Sequence, residues 1–306
     1  MFYGIRDRLK RGKYDFQVRE ILRTSPARIV VGSPAVILTQ LQKKDVRMFL
    51  VASKAFMAKV PISHVYILND GTLTVAEEEL LARHIRSVTF LRLEEYRSSV
   101  CPQGACWERL LSIAELVKKH YVIQLDSDTL AVGNIDEIRA NVEAGIAFTL
   151  GTWDDQKIEA MRESCEMAKT KIIGANPHVQ QVAESNFEKL KKYDALRYVK
   201  GCAGFAGFPQ HSFAADFVEE VSAEMEAAIG RKWHEWGSEQ VMSNIVVSNI
   251  PGAVVLPHPK YSSCENLDNY LPAFIHFIGY CRFNKGAYAR LSRQVIKELD
   301  KAGSER

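Results

Sequence analysis

Asp126 and Asp128 are the residues of this 306-residue chain whose type and spacing speak most directly of chemistry. They lie in YVIQLDSDTLAVGNIDEI, Tyr121 to Ile138, with Ser127 between them and Thr129 after. In an extended chain residues i and i+2 project to one side, so the two carboxylates converge on one small volume. Adjacent carboxylates repel unless a cation or a proton lies between them. Ser127 and Thr129 add polarity without positive charge. A divalent cation that takes oxygen ligands, Mg²⁺ or Mn²⁺, fits such a pair and keeps positions open for substrate phosphates. A bare D-x-D also serves as a surface turn that caps a helix. The apolar run Tyr121, Val122, Ile123 and Leu125 ahead of it reads as a core strand. That sets the acids at the carboxyl end of a sheet strand, where open α/β sheets bind ligands.

Other residues could share this chemistry. His276, in the apolar stretch FIHFIG, reads either as a core histidine with one satisfied hydrogen bond or as a nitrogen ligand for the same metal. Arg282, Lys285 and Arg290 follow, as an exposed basic face or as a clamp on a diphosphate. Glu239, Gln240 and Asn244 open a helix, and Gln240 and Asn244 share a face. Asp154 and Asp155 read as a helix start. The glycine-rich run Lys200–Phe208 reads as a tight strand, or as a floor where backbone approaches a ligand.

The elements that must position these residues alternate. Ile29–Val31 and Ala35–Leu38 read as short strands, Lys44–Lys59 as a helix stopped by Pro61, and His64–Leu68 as a strand ending in Asn69-Asp70-Gly71. This is a βαβ unit and needs a parallel pair. Thr74 with Glu77 forms a capping box on the next helix. Ser87–Leu93 reads as a third strand, Glu108–His120 as the helix leading to the acidic strand, and Gly145–Leu150 as a further strand. Residues 153–199 then break the pattern, mostly polar and helical in composition, as an insertion or lid. Helices over Phe213–Ile229 and Gly237–Val247 and a short strand at Ala253–Leu256 follow.

Composition bounds the class. A chain 47% hydrophobic and 25% charged can build a sizeable core, and a net charge of +3 is too small to argue for nucleic acid as the main partner, so none is expected. No apolar run approaches membrane-spanning length, and MFYGIRDRLKRGK lacks the apolar stretch of a secretory signal. Residues 1–28 carry eight Lys/Arg against three Asp/Glu, with Ile5, Leu9, Phe16, Val18, Ile21 and Leu22 interspersed. They read as a solvated helical extension packed on the domain, with peripheral contact to acidic lipid head groups as the alternative. Six cysteines without a C-x-x-C fit reduced thiols better than a disulfide framework. The expectation is a cytoplasmic protein, with a peripheral position at the inner face of the membrane as the alternative.

Taken in order, these segments resemble the nucleotide-sugar-dependent glycosyltransferases of the GT-A fold, family 8 in particular. The strand ending in LDSDTLAVGNIDEI resembles the family's D-x-D segment. Trp107-Glu108-Arg109-Leu110 resembles the segment that carries an arginine ahead of it. Glu239-Gln240-Val241-Met242-Ser243-Asn244 is similar to (D/E)-Q-x-x-x-N, and His276 to Arg282 to H-x-x-G-x-x-K, with Arg282 where lysine is usual. The resemblance covers residues 30–290 and lacks the family's C-terminal K-P-W. It implies an α/β fold, GT-A and Rossmann-like, with a mixed, mostly parallel sheet flanked by helices in one domain with a helical insertion. The domain would span residues 29–292: a nucleotide-binding half at 29–132, the insertion at 153–199, and an acceptor and metal half at 200–292. Residues 1–28 precede it and a tail, 293–306, follows.

The resemblance also implies roles. Asp126, Asp128 and His276 would hold Mn²⁺ or Mg²⁺ on the donor diphosphate, with Ser127 and Gly279 beside it and Arg282 on the phosphates. Thr39, Gln40 and Asp70 would line the nucleoside pocket, for uridine. Arg109 and Gln240 would face the donor sugar and Glu239 the anomeric carbon. The implied reaction moves a sugar from a UDP-sugar to a glycan, lipid or protein acceptor with retention of configuration. An inverting enzyme with Glu239 or Asp155 as base, a nucleotidyltransferase, and a degenerate nucleotide-sugar-binding module are the alternatives. The nucleotidyltransferase calls for a Gly-rich loop with Arg or Lys after the first strand, where Thr39-Gln40-Leu41-Gln42 stands.

Overall fold

The computed structural model describes residues 2–171, 174–267 and 269–304. The side chain of Ile5 lies outside the described residues. In chain order the strands are β1 (Ala35–Leu41), β2 (His64–Asn69), β3 (Val88–Arg92), β4 (Tyr121–Leu125), β5 (Thr129–Ala131), β6 (Phe148–Leu150), β7 (Glu159–Ala160), β8 (Arg197–Tyr198), β9 (Cys202–Phe208), β10 (Val254–Val255), β11 (Tyr261–Ser263) and β12 (Phe274–His276). Seven of them form one mostly parallel sheet in the order β10-β6-β9-β4-β1-β2-β3, flanked by helices. The α/β architecture is the one read from the sequence. The chain divides into two compact units, one of residues 1–91, 125–140 and 259–306, the other of 92–124 and 141–258.

In the first unit β1 and β2 pair in parallel from Val36↔His64 to Leu41↔Asn69, the expected βαβ unit. Its crossover helix, Val46–Met57, buries every residue but Arg47. Phe49 and Phe56 are fully buried there, and burying such a side chain is worth about 1.5–3 kcal/mol. The capping box forms as read: Glu77 accepts from the backbone N–H of Thr74 at 3.0 Å and from its hydroxyl. Ile29–Val31 is not a strand. Val30 N–H does reach the Ile62 carbonyl at 2.8 Å, but Val31 stands 94% exposed and Gly32, at φ +87°, turns the chain before a ladder can extend. Ahead of β1, a helix over Phe2–Gln17 and a short 3₁₀ turn over Arg19–Arg23 bury Tyr14, Val18 and Ile21 and leave Leu9 and Phe16 exposed.

One buried charge ties that segment down. Lys54 Nζ donates to Thr24 Oγ1 at 2.8 Å, to the carbonyls of Thr24 and Ser25 at 3.3 and 2.9 Å, and to His84 Nδ1 at 2.9 Å. An ammonium accepts nothing, so His84 offers Nδ1 as an acceptor and carries its proton on Nε2.

The first unit also holds the three-stranded sheet β11-β12-β5. β12 runs parallel to β11 and antiparallel to β5, with His276 opposite Thr129. The parallel pairing sets Ser263 against His276, and the chain that follows each strand brings Cys264 and Cys281 together as a disulfide, with Cα atoms 5.9 Å apart. This corrects the expectation that all six thiols are reduced, and removes the argument drawn from them for a cytoplasmic setting. Two cysteines 17 residues apart carry no local pairing signal; strand register brings them together.

In the second unit β9 runs antiparallel to β6, and its glycines are packing glycines. A Cβ on Gly207 would stand 2.3 Å from a ring carbon of Phe148 and 2.6 Å from the Tyr121 hydroxyl. The insertion carries helices Met161–Thr170 and Val179–Glu184, and the two-residue antiparallel ladder of β7 with β8 closes its ends. Met161, Cys165, Ala168, Val179, Ala183 and Phe187 are buried in it.

Candidate metal centre and a buried polar cluster

β4 ends at Leu125 and β5 begins at Thr129, so Asp126-Ser127-Asp128 is a tight turn, not the extended segment assumed from the sequence. The Thr129 N–H and hydroxyl both donate to the Asp126 carbonyl, at 3.2 and 2.8 Å. The turn, and not strand alternation, draws the two acids together. The antiparallel register with β12 then supplies the histidine. Asp126, Asp128 and His276 each offer a ligand atom within 4.8 Å of the others. Asp128 and His276 are buried and Asp126 half-buried. Two carboxylates and an imidazole suit Mn²⁺, which accepts nitrogen more readily than Mg²⁺ does.

Asp128 is the hub. His276 Nε2 lies 3.2 Å from its Oδ1, and Arg282 Nη2 donates to its Oδ2. The backbone N–H of Phe277 donates to the Asp128 carbonyl at 2.8 Å, and Arg282 Nε donates to the Phe277 carbonyl at 3.0 Å. Burial raises the Asp128 carboxyl, but the His276 charge and hydrogen bond, with Arg282 behind them, outweigh it and hold it down at about 2. It is therefore ionised and ready as a ligand. Beneath the turn the rings of Phe277, Tyr288 and Tyr14 stack at 4.0 and 4.4 Å, and the Tyr288 hydroxyl reaches the Ser127 carbonyl at 3.4 Å. This aromatic column gives the turn a rigid base, and nothing local in the sequence announced it.

The residues expected around a nucleoside lie in the same unit. Thr39 is fully buried, and its Oγ1 and the Gln40 Oε1 have no hydrogen-bond partner among the described residues. Asp70 spends its carboxylate locally, accepting from the Thr72 N–H at 3.0 Å and the Thr72 hydroxyl at 2.6 Å. A cavity of about 600 Å³ opens where β1 and β2 end, lined by Gln42, Lys43, Lys44 and Thr72 among others. Gly279 is exposed, and a Cβ there would meet nothing within 4 Å.

In the second unit, Arg109 and Glu239 come together from distant positions. Arg109 Nη2 donates to both Glu239 oxygens, at 3.2 and 3.1 Å, with the two side chains 6% and 5% exposed. Trp107 Nε1 donates to Ser238 Oγ at 2.9 Å and so fixes the start of the Ser238–Ser248 helix. Gly237 precedes that helix at φ +103°, where a Cβ would lie 2.5 Å from the His178 ring. Gln240 Nε2 lies 3.4 Å from Gln180 Oε1, and Asn244 Nδ2 donates to the Gly201 carbonyl at 3.0 Å. Asn244 thus serves the backbone, and Gln240 is half-buried.

No family model and no curated protein matches the sequence. Solved structures do. The apo structure of WbbM, a bifunctional glycosyltransferase, aligns with a TM-score of 0.54 at 11% identity over 91% of this chain and 53% of its own. The fold is that of the GT-A glycosyltransferases. A second GT-A structure, apo GlyE of Streptococcus pneumoniae TIGR4, aligns with a TM-score of 0.50 at 14% identity, over 88% of this chain and 63% of that one. The chain thus spans about half the length of the first GT-A structure and under two thirds of the second. Among the described residues, no helix is long and apolar enough to cross a membrane.

Proposed function

We propose that this chain transfers a sugar from a UDP-sugar to a glycan, lipid or protein acceptor, with Mn²⁺ or Mg²⁺ bound and with retention of anomeric configuration. The observation that carries the reading is the Asp126–Asp128–His276 cluster, three ligand atoms within 4.8 Å of one another, on a GT-A fold. Breaking a sugar–phosphate bond builds negative charge on the leaving diphosphate. Asp126, Asp128 and His276 would hold the metal, whose charge, when bound, stabilises that diphosphate. Arg282, at the edge of the cluster, would pair with phosphate oxygens through its forked donors. Ser127 lies within the turn, and the open space at Gly279 leaves room for the diphosphate to approach.

The nucleoside would enter the cavity where β1 and β2 end, with Gln42 and Lys43 on its wall, and Thr39, Gln40 and Asp70 would line its pocket. Arg109 and Gln240 would face the donor sugar and Glu239 the anomeric carbon. The buried Arg109–Glu239 ion pair supports retention, because a carboxylate held by a guanidinium is a poor general base. Residues 29–292 would form the catalytic domain, with 1–28 as an extension, the insertion at 153–199 choosing the acceptor, and 293–306 as a tail.

The test is a thermal-shift screen of UDP and GDP with Mn²⁺, Mg²⁺ or EDTA, on the wild type and Asp128→Ala. A ligand that binds the native state raises its stability. We expect a UDP shift that needs the metal and vanishes in Asp128→Ala. A UDP shift of equal size in EDTA would replace this reading with a metal-independent binding module, and no shift with either nucleotide would refute it.

A further inference from the structure

We propose that Gln180 and Glu184, both in the insertion, are positioning residues that fix which end of the Gln240 amide is free. The inference deepens the donor reading and rests on Gln240 facing the donor sugar. Glu184 is 5% exposed, and a carboxylate can only accept hydrogen bonds. Its Oε1 accepts from Gln180 Nε2 at 3.0 Å and from the Tyr198 hydroxyl at 3.0 Å, and its Oε2 accepts from Lys200 Nζ at 3.0 Å. Gln180 Nε2 also lies 3.3 Å from the Tyr198 oxygen, whose single proton goes to Glu184.

The Gln180 amide therefore turns its NH₂, and not its carbonyl, to the Glu184–Tyr198 pair. Turning that amide over would set its carbonyl oxygen 3.0 Å from a carboxylate oxygen with no proton between them. So Gln180 Oε1 faces the other way and can only accept. Gln240, 3.4 Å off, must then present Nε2 to it. The orientation follows from donor and acceptor counting, with Lys200 supplying the counter-charge to Glu184.

The consequence lies on Gln240. With its NH₂ drawn to Gln180, Gln240 would turn its carbonyl oxygen to a ligand. A sugar losing its leaving group develops positive charge at the anomeric carbon. A fixed carbonyl dipole with oxygen foremost stabilises that charge, and an NH₂ foremost would oppose it. A glutamine free to turn over would be wrong part of the time. The insertion thereby contributes to the reacting centre without touching substrate.

The test follows the Gln240 side-chain amide by NMR in protein labelled with ¹⁵N-glutamine, its resonance pair assigned by its disappearance in Gln240→Leu. In the wild type we expect one proton of the pair to exchange slowly with solvent. In Glu184→Gln and in Gln180→Leu the pair should move and the slow exchange should be lost. Gln181→Leu, next along the same helix, should leave both unchanged. Should Glu184→Gln fail to fold, Gln180→Leu decides alone. An unchanged pair in folded Gln180→Leu overturns the inference. The metal-dependent UDP thermal shift, which draws on Asp126, Asp128 and His276, should persist in these variants. Its absence from the wild type would refute the donor reading while leaving the amide result standing.

Discussion

Arg109 and Glu239 form an ion pair whose removal tests both stability and role. The side chains are 6% and 5% exposed and share two hydrogen bonds of 3.2 and 3.1 Å. Removing one partner of a buried pair strands the other charge and costs about 3–5 kcal/mol, whereas replacing both with apolar groups is often neutral or stabilising. Arg109→Met and Glu239→Leu should each lose about 3–5 kcal/mol of unfolding free energy. The double variant should recover most of that loss, because neither charge remains to be desolvated. Urea titration of the four proteins, with midpoint and slope read separately, makes the comparison. Singles that each cost less than about 1 kcal/mol would fall in the range of solvated surface pairs and refute the reasoning. Glu239 would then be hydrated enough to serve as a base, and the case for retention over inversion would weaken with it.

The Cys264–Cys281 disulfide spans 17 residues and encloses His276, and loop-closure entropy assigns such a link about 3 kcal/mol. Cys264→Ser/Cys281→Ser should unfold earlier in urea and bind Mn²⁺ more weakly; equal midpoints with and without reductant would show that the link contributes nothing. His84 is pushed down to about 4, first by burial and then by the Lys54 ammonium 2.9 Å away. Its folded form resists protonation while the unfolded form protonates near 6.5, so stability should fall as pH drops from about 6.5 to about 4 and level off below. His84→Gln should flatten that slope in a denaturation series over pH, and an unaltered slope would remove His84 as its source.

Much of the fold was legible because its signals are local. The Val46–Met57 helix, the β1–β2 pair and the Thr74 cap each declare themselves within a dozen residues. The acids at the end of β4 were legible too, although their convergence comes from a turn stabilised by Thr129 and not from strand alternation. What stayed hidden depends on pairing between distant segments. His276 reaches Asp128 through the register of β12 on β5, and the disulfide closes through that of β11 on β12. Residues 153–199 offered no motif, since Gln180 and Glu184 acquire meaning only beside Tyr198, Lys200 and Gln240. Donor and acceptor counting can be applied only once neighbours are known.

The pairing of β5 with β12 also says where this protein can change length. His276 lies opposite Thr129 in a ladder of three residue pairs, and side chains in a strand alternate faces. One residue inserted into β12 ahead of His276, unless a bulge absorbs it, would swing the imidazole to the far side of the small sheet. The segment joining the two strands can lengthen or shorten without disturbing the triad, provided it returns β12 in the same register. Diversification of this chain, by evolution or by hand, is thus steered away from three residues on each strand and toward the long excursion between them, which can vary while Asp126, Asp128 and His276 keep their places.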